Sequence, residues 1–200
     1  MRRLALAFAL IGCESQNEAS PADSSSASAV SSTPPAAPGA GRQTSSCGDE
    51  VITEEGIGQL RIGTTVESVR QKCNVVRDTT VIDSEGMPAR RLAVTLSRDT
   101  VEAEIVNGRV WRLAVHSPRL RTADSLGVGT PLTRLLELKK PRGMTGEGKF
   151  FVASPEHCGM SFRLAIAEAG GRGDLDSAGL ARLPKSTTVS EVLIFGCHLR

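Results

Sequence analysis

From Arg91 to Val115 the chain alternates between apolar and polar positions with a period of two. Leu92, Val94 and Leu96 share one side while Arg91, Ala93 and Thr95 share the other, and Val101, Ala103 and Ile105 alternate with Glu102 and Glu104. Side chains of a strand point to opposite faces in turn, so this pattern predicts antiparallel strands with one apolar and one wet face. Asn107-Gly108 separates the runs 101–106 and 109–115. Both residues tolerate positive φ, so the pair predicts a tight hairpin, after which Trp111, Leu113 and Val115 are expected to point inward together. Later in the chain Phe150–Ala153, the alternation Met160, Phe162, Leu164, Ile166, and Val189–Cys197 predict further strands. The Gly- and Asp-rich stretch Gly170–Lys185 reads as a loop.

Ahead of each strand region the period shifts from two towards the helical repeat, and the two shifts echo each other. Ile62-Gly63-Thr64-Thr65-Val66-Glu67-Ser68-Val69 matches Val128-Gly129-Thr130-Pro131-Leu132-Thr133-Arg134-Leu135 at an offset of 66. Thr64 with Glu67 has capping-box spacing, and Pro131 after Thr130 suits a first helical position, where its missing N–H would be unpaired anyway. Val66, Val69 and Cys73 would share one helix face, and Leu132, Leu135, Leu136 and Leu138 another. The expected fold is α+β: two tandem units, each a short helix followed by antiparallel β-strands packed on it, with halves at about 47–118 and 119–200.

The first 46 residues carry a different pattern. Arg2 and Arg3, an apolar run from Leu4 to Ile11, and Gly12 before Cys13 have the layout of a secretory signal peptide over residues 1–12, far short of the ~20 apolar residues of a spanning helix. Residues 14–46 contain 10 Ser, 7 Ala and 4 Pro, too little apolar surface to offset the entropy of ordering, so 13–46 is expected to be a disordered linker and 47–200 the domain. Leu10-Ile11-Gly12-Cys13 resembles the lipobox of bacterial lipoproteins. The resemblance implies that Cys13 is the lipidated residue (S-diacylglycerol, with palmitate-type chains) after cleavage, and that the membrane is a partner through this anchor. Three acyl chains suffice for stable anchoring. Glu14 follows the cysteine, where an Asp would resemble an inner-membrane retention signal. The periplasmic face of the outer membrane is therefore the favoured location.

With lipobox, linker, and a Gly-Thr helix start before antiparallel strands, the chain resembles the small-protein-A group of outer-membrane lipoproteins and the β-lactamase-inhibitory-protein type of tandem repeat. Members of those groups bind proteins rather than catalyse reactions. The resemblance rests on Ile62–Val69 and Val128–Leu135. Where the group ends its helix with Leu-Gly-x-Pro, this chain has Cys73-Asn74-Val75, so no binding residue is carried over.

Composition narrows the function. The net charge of +2 gives no electrostatic footprint for nucleic acid, and aromatics at 3% argue against stacking platforms. Beyond Cys13 four cysteines remain, an even number that suggests disulfides in an exported domain. Of the three pairings, Cys158 with Cys197 and Cys47 with Cys73 is favoured, since Cys158 shares strand parity with Met160 and Phe162 and Cys197 with Leu193 and Phe195. A metal site at His157-Cys158 and Cys197-His198 is disfavoured, because adjacent strand residues face opposite sides. His116 and His157 are read as surface residues, and Arg119, Arg121 and Lys139–Arg142 as solvated charge. Gly143–Lys149 approaches a phosphate-binding loop but has Phe150 where Ser or Thr would hold magnesium, so it reads as a turn entering a strand. No serine-hydrolase or zinc-protease motif occurs. The expectation is a non-enzymatic, cofactor-free envelope lipoprotein that binds an envelope protein as assembly factor, inhibitor or scaffold. An envelope hydrolase using His116 or His157, or a metal-binding envelope protein, is the alternative.

Overall fold

In the computed structural model, residues 47–83, 85–166 and 173–197 are described. Cys13, the expected signal peptide and linker, and His198 lie outside them. The described chain runs β1 (Val51–Thr53), β2 (Gly56–Ile57), β3 (Leu60–Arg61), α1 (Val66–Lys72), β4 (Asn74–Ile82), β5 (Pro88–Leu96), β6 (Asp99–Val106), β7 (Arg109–Val115) and β8 (Arg121–Thr122). It continues through α2 (Leu132–Leu135), β9 (Arg142–Gly146), β10 (Lys149–Ala153), a 3-10 turn (Pro155–His157), β11 (Met160–Leu164), α3 (Ser177–Ala181) and β12 (Val189–Ile194). Eight strands form one sheet in the order β4-β5-β6-β7-β12-β11-β10-β9, and the other four form a small sheet, β3-β2-β1-β8.

The architecture is mostly β, which corrects the expected α+β fold of two tandem units. The helices have 7, 4 and 5 residues, too few to form a layer. Nor do the halves keep separate sheets. The last strand of each half, β7 and β12, pair antiparallel with Val115 opposite Val192 and Leu113 opposite Ile194, fusing both sets of strands. One apolar row then crosses the whole sheet through register neighbours: Val75, Val94, Val101, Val115, Val192, Phe162 and Val152. It ends at Gly143, where a Cβ would come within 2.4 Å of the Phe150 ring. Apolar area buried along this row stabilises the sheet at roughly 25 cal/mol per Å².

The echo between the halves is a backbone motif more than a helical one. Gly63 N donates to Val110 O (2.8 Å) and Val110 N to Thr64 O (2.9 Å), while Gly129 N donates to Val189 O (2.7 Å) and Val189 N to Thr130 O (2.9 Å). Each Gly-Thr segment therefore staples itself to the start of its half's last strand. Both turns need positive φ, 81° at Gly63 and 87° at Gly129. The caps differ from expectation by one residue. Thr65, not Thr64, accepts from Ser68 N at 3.3 Å, and Pro131 occupies the N-cap itself. Residues 177–181 are helical, where the sequence suggested only loop, because the Asp176 carboxylate accepts from Gly179 N at 2.8 Å.

Trp111 corrects a further expectation. Ile105 opposes Val110 and Glu104 opposes Arg112, so Trp111 is the extra residue of a bulge; it is 44% exposed while Val110, Leu113 and Val115 face the core. Val76 on β4 and Ser190 on β12 are skipped in the same way. Bulges bend the strands that carry them and increase twist. The consequence is visible between Arg112 and Glu147. β7 and β10 are three strand spacings apart, ~14 Å in a flat sheet, yet Arg112 Nη1 donates to Glu147 Oε1 of the β9–β10 turn at 2.7 Å. The sheet curls, and its open face is concave.

The two cysteine pairs are disulfides, Cys47–Cys73 and Cys158–Cys197, with Cα atoms 4.5 and 5.1 Å apart. Cys73 caps the end of α1, so the first bridge ties the start of the described chain to the helix. The route to the second differs from the strand-parity argument: Cys158 follows the 3-10 turn and Cys197 lies beyond the end of β12. Among the described residues no helix is long and apolar enough to cross a membrane.

Candidate functional site: the open face of the eight-stranded sheet

Each strand that sends one apolar side chain into the core sends the next to the concave face. A central row there runs Arg77, Ala93, Glu102, Ala114, Leu193 and Ser161 across six strands. Small side chains at Ala93, Ala114 and Ser161 make a valley. On one side stand Arg91, Glu104 and Arg112, register neighbours on β5, β6 and β7; on the other stand Glu191 and Arg163, neighbours on β12 and β11. The curl brings Glu147 and Lys149 over the valley from the β9–β10 turn, enclosing a cavity of about 230 Å³.

Charges here are matched in number, Arg91, Arg112, Lys149 and Arg163 against Glu102, Glu104, Glu147 and Glu191, but not in quality. Arg112 donates to Glu104 and Glu147 at 2.7 Å each. Burial alone would lower its pKa; the two carboxylates outweigh that and raise it, and Arg112 in turn holds Glu147 below the usual carboxylate range. Glu191 is different. Its side chain is 5% exposed, and its neighbours are Arg163 Nη1 at 3.3 Å, His116 Nε2 at 3.7 Å and Lys149 Nζ at 3.8 Å. A carboxylate removed from water survives only with compensating charge, and here it is surrounded by three loosely placed cationic or basic groups.

None of the four described cysteines lines this valley. His116 does, half-exposed, whereas His157 departs from the surface reading: its side chain is 13% exposed, its ring meets Phe162 edge-on at 6.0 Å, and Nε2 lies 3.1 Å from Asp124 Oδ2. Burial pushes the Asp124 carboxyl up, but the Thr122 hydroxyl and the His157 charge outweigh it, so the carboxyl stays below its ordinary range. Among the described residues no hydroxyl hydrogen-bonds to either histidine, and no group of three or more His, Cys, Asp or Glu is placed to hold a metal. All four described cysteine sulfurs are tied up as disulfides rather than free as thiolate ligands.

Of the basic residues read as solvated charge, Lys139, Lys140 and Arg142 are exposed, whereas Arg119 and Arg121 also make structural bonds. Arg119 forks onto Asp99, with Nε to Oδ2 at 2.9 Å and Nη2 to Oδ1 at 2.7 Å. Arg121 stitches the segment between the halves together by donating to Pro118 O, Ser125 O, Val128 O and Thr130 Oγ1. Gly143–Lys149 is a hairpin, with Glu147 and Gly148 both at positive φ in its two-residue turn. Glu191 itself escaped sequence reasoning because Ser190 is bulged, which breaks the alternation that would have marked Glu191 as facing the valley.

No family model matches the chain, and no curated protein matches it. Among solved structures, the crystal structure of the uncharacterized protein yfeY from Escherichia coli is similar, with a TM-score of 0.52 at 16% identity, covering 72% of this chain and 98% of that one. At that identity the likeness speaks for the fold alone.

Proposed function

We propose that the chain is a lipoprotein of the bacterial cell envelope, anchored through Cys13 to the periplasmic face of the outer membrane. Its domain acts as a non-catalytic module that binds an envelope protein through the open face of the large sheet. The anchor reading is supported by Leu10-Ile11-Gly12-Cys13 after a basic and apolar start, and the tethering by the Ser-, Ala- and Pro-rich stretch 14–46. The observation that carries the docking reading is the valley: a concave face on which Phe151 and Leu193 are tucked among ion-paired side chains, with Trp111 standing exposed at the rim. Aromatic and arginine side chains around a desolvated centre are what protein interfaces use.

A photo-crosslinker placed at Ala114 on the valley floor of the full-length protein in its bacterial host should capture one defined protein, and the same group at Arg134 on α2 should not. Equal capture from both positions, or none from Ala114, would reject the docking face. Ester or peptidoglycan hydrolysis by the purified chain, lost in His116→Ala or His157→Ala, would favour an enzyme instead. For the anchor, the wild-type chain should partition with membranes and Cys13→Ala should be released to the soluble envelope fraction.

A further inference from the structure

We infer that β4, the free edge of the large sheet, pairs antiparallel with β4 of a second copy of this chain about a two-fold axis at Thr80. The sheet has two edges, and they are finished differently. At β9, Gly143 spends both its N–H and its C=O on Leu175, at 2.8 and 2.9 Å. On the outer side of β4 no strand or bridge is paired among the described residues. From Arg77 to Ile82 it runs in unbroken register with β5 and carries no Pro, Lys or bulge, the devices that keep edges from pairing. Residues 77–80 are all exposed.

Hydrogen bonding along β4 selects the occupant and its register. Asp83 N donates to Met87 O at 2.9 Å, and bonded and non-bonded pairs alternate along an antiparallel ladder. Val81 and Thr79 therefore bond inward to β5, while Asp78, Thr80 and Ile82 turn their N–H and C=O groups outward. Pro88, which has no N–H to give, stands opposite Ile82 as this phase requires. Such a row of alternating donors and acceptors is matched by another extended strand, and β4 itself fits it. With Thr80 on the axis, Thr80 meets the partner's Thr80, and Asp78 meets the partner's Ile82, so all three outward residues oppose outward residues. Arg77 then lies opposite the partner's Asp83 on the same face, twice by symmetry. Arg77 is 62% exposed and reaches Glu102 only at 3.5 Å, and Asp83 holds its turn through Oδ1, which accepts from Glu85 N and Met87 N. Centring the pair on Thr79 or Val81 keeps two regular outward pairs instead of three, and centring on Asp78 sets two carboxylates against each other. The isologous pairing also covers part of Ile82, 70% exposed in the single chain. No β4 residue lines the valley cavity, so pairing at the edge leaves it open.

Sedimentation of the full chain with Cys13→Ala, which cannot be lipidated there, should show a mass that rises with concentration from one chain to two. Hydrogen exchange should report the edge directly: the amides of Asp78, Thr80 and Ile82 gain protection as the dimer forms, whereas those of Thr79 and Val81 are protected throughout. Arg77→Asp opposes like charges at both ends of the pair and should weaken dimerisation roughly tenfold or more. Asp83→Asn keeps the turn's acceptor and should weaken it about threefold or more. Protected Thr79 and Val81 amides in each variant show that the β4–β5 hairpin is intact. A chain that stays single up to about 1 mM, a dimer that leaves the three outward amides exchanging freely, or a dimer indifferent to Arg77→Asp would overturn the inference.

Discussion

Glu191 is almost fully buried with Arg163, His116 and Lys149 around it, so its carboxylate and the Arg163 and Lys149 charges stabilise one another at the bottom of the valley. Glu191→Gln keeps the shape and removes the charge, leaving basic groups without their anion. The expected cost is about 1–3 kcal/mol, read from the urea midpoint of unfolding. Gly63 and Gly129 make the opposite kind of prediction, one about backbone alone. An added Cβ at Gly63 meets nothing within 4 Å, and at Gly129 only Arg121 Nη2 at 3.9 Å, so alanine there is opposed only by the left-handed backbone. Each replacement should cost about 1–2 kcal/mol, and the two values should agree closely if the Gly-Thr staples are equivalent. The glycines were legible in the sequence as an echo. Their task, turning a segment onto the last strand, was not, because the strands they join lie 47 and 60 residues further on, from Gly63 to Val110 and from Gly129 to Val189.

Among the elements, α1 is short and buries only Val66 and Val69, and Asp78 adds an ion-paired link between it and the sheet edge. The carboxylate accepts from Arg90 of β5 through Nε (3.0 Å) and Nη2 (2.8 Å) and from Arg70 of α1 (2.6 Å). The Arg90 bonds, helped by Arg70, lower its pKa from 3.8 to about 2. A carboxylate whose folded pKa is depressed adds stability that is fully present above its unfolded value and is lost as pH falls through the folded one. The clamp should therefore be intact above about pH 4 and fail between about pH 4 and 2. Acid titration of the unfolding midpoint should show this limb, and Asp78→Asn should flatten it. At the same scale, period-two alternation predicted β5, β6, β7 and β11 well, and Asn107-Gly108 turned as expected with φ of 50° and 72°. Alternation failed at Trp111 and Ser190, where a bulge inserts one residue and interrupts the period. The short strands β1, β2 and β3 left no periodic signal because two or three residues cannot show a period.

For the whole molecule, the two disulfides span 26 and 39 residues and the described domain folds around them. In the chain-entropy account each such loop contributes about 3–4 kcal/mol by limiting the unfolded ensemble. Replacing Cys158 and Cys197 together by serine should lower stability by that amount in denaturant unfolding, and thiol titration of the unfolded, unreduced wild-type domain should find no free thiol among its four cysteines. Near neighbours in the sequence suffice for the wet-and-dry strands, the tight hairpins, the Gly-Thr turns, and an even cysteine set whose favoured pairing the structure carries. Apart from the cysteine pairing, each of these is a local preference that a few residues can encode. Only folding in three dimensions settles that the halves fuse through β7 and β12, that the fold is mostly β rather than helix-backed units, and that the sheet curls into a charged valley. Those outcomes depend on contacts between residues far apart in the chain and on bulges whose effect accumulates across strands, and no window of sequence contains both partners.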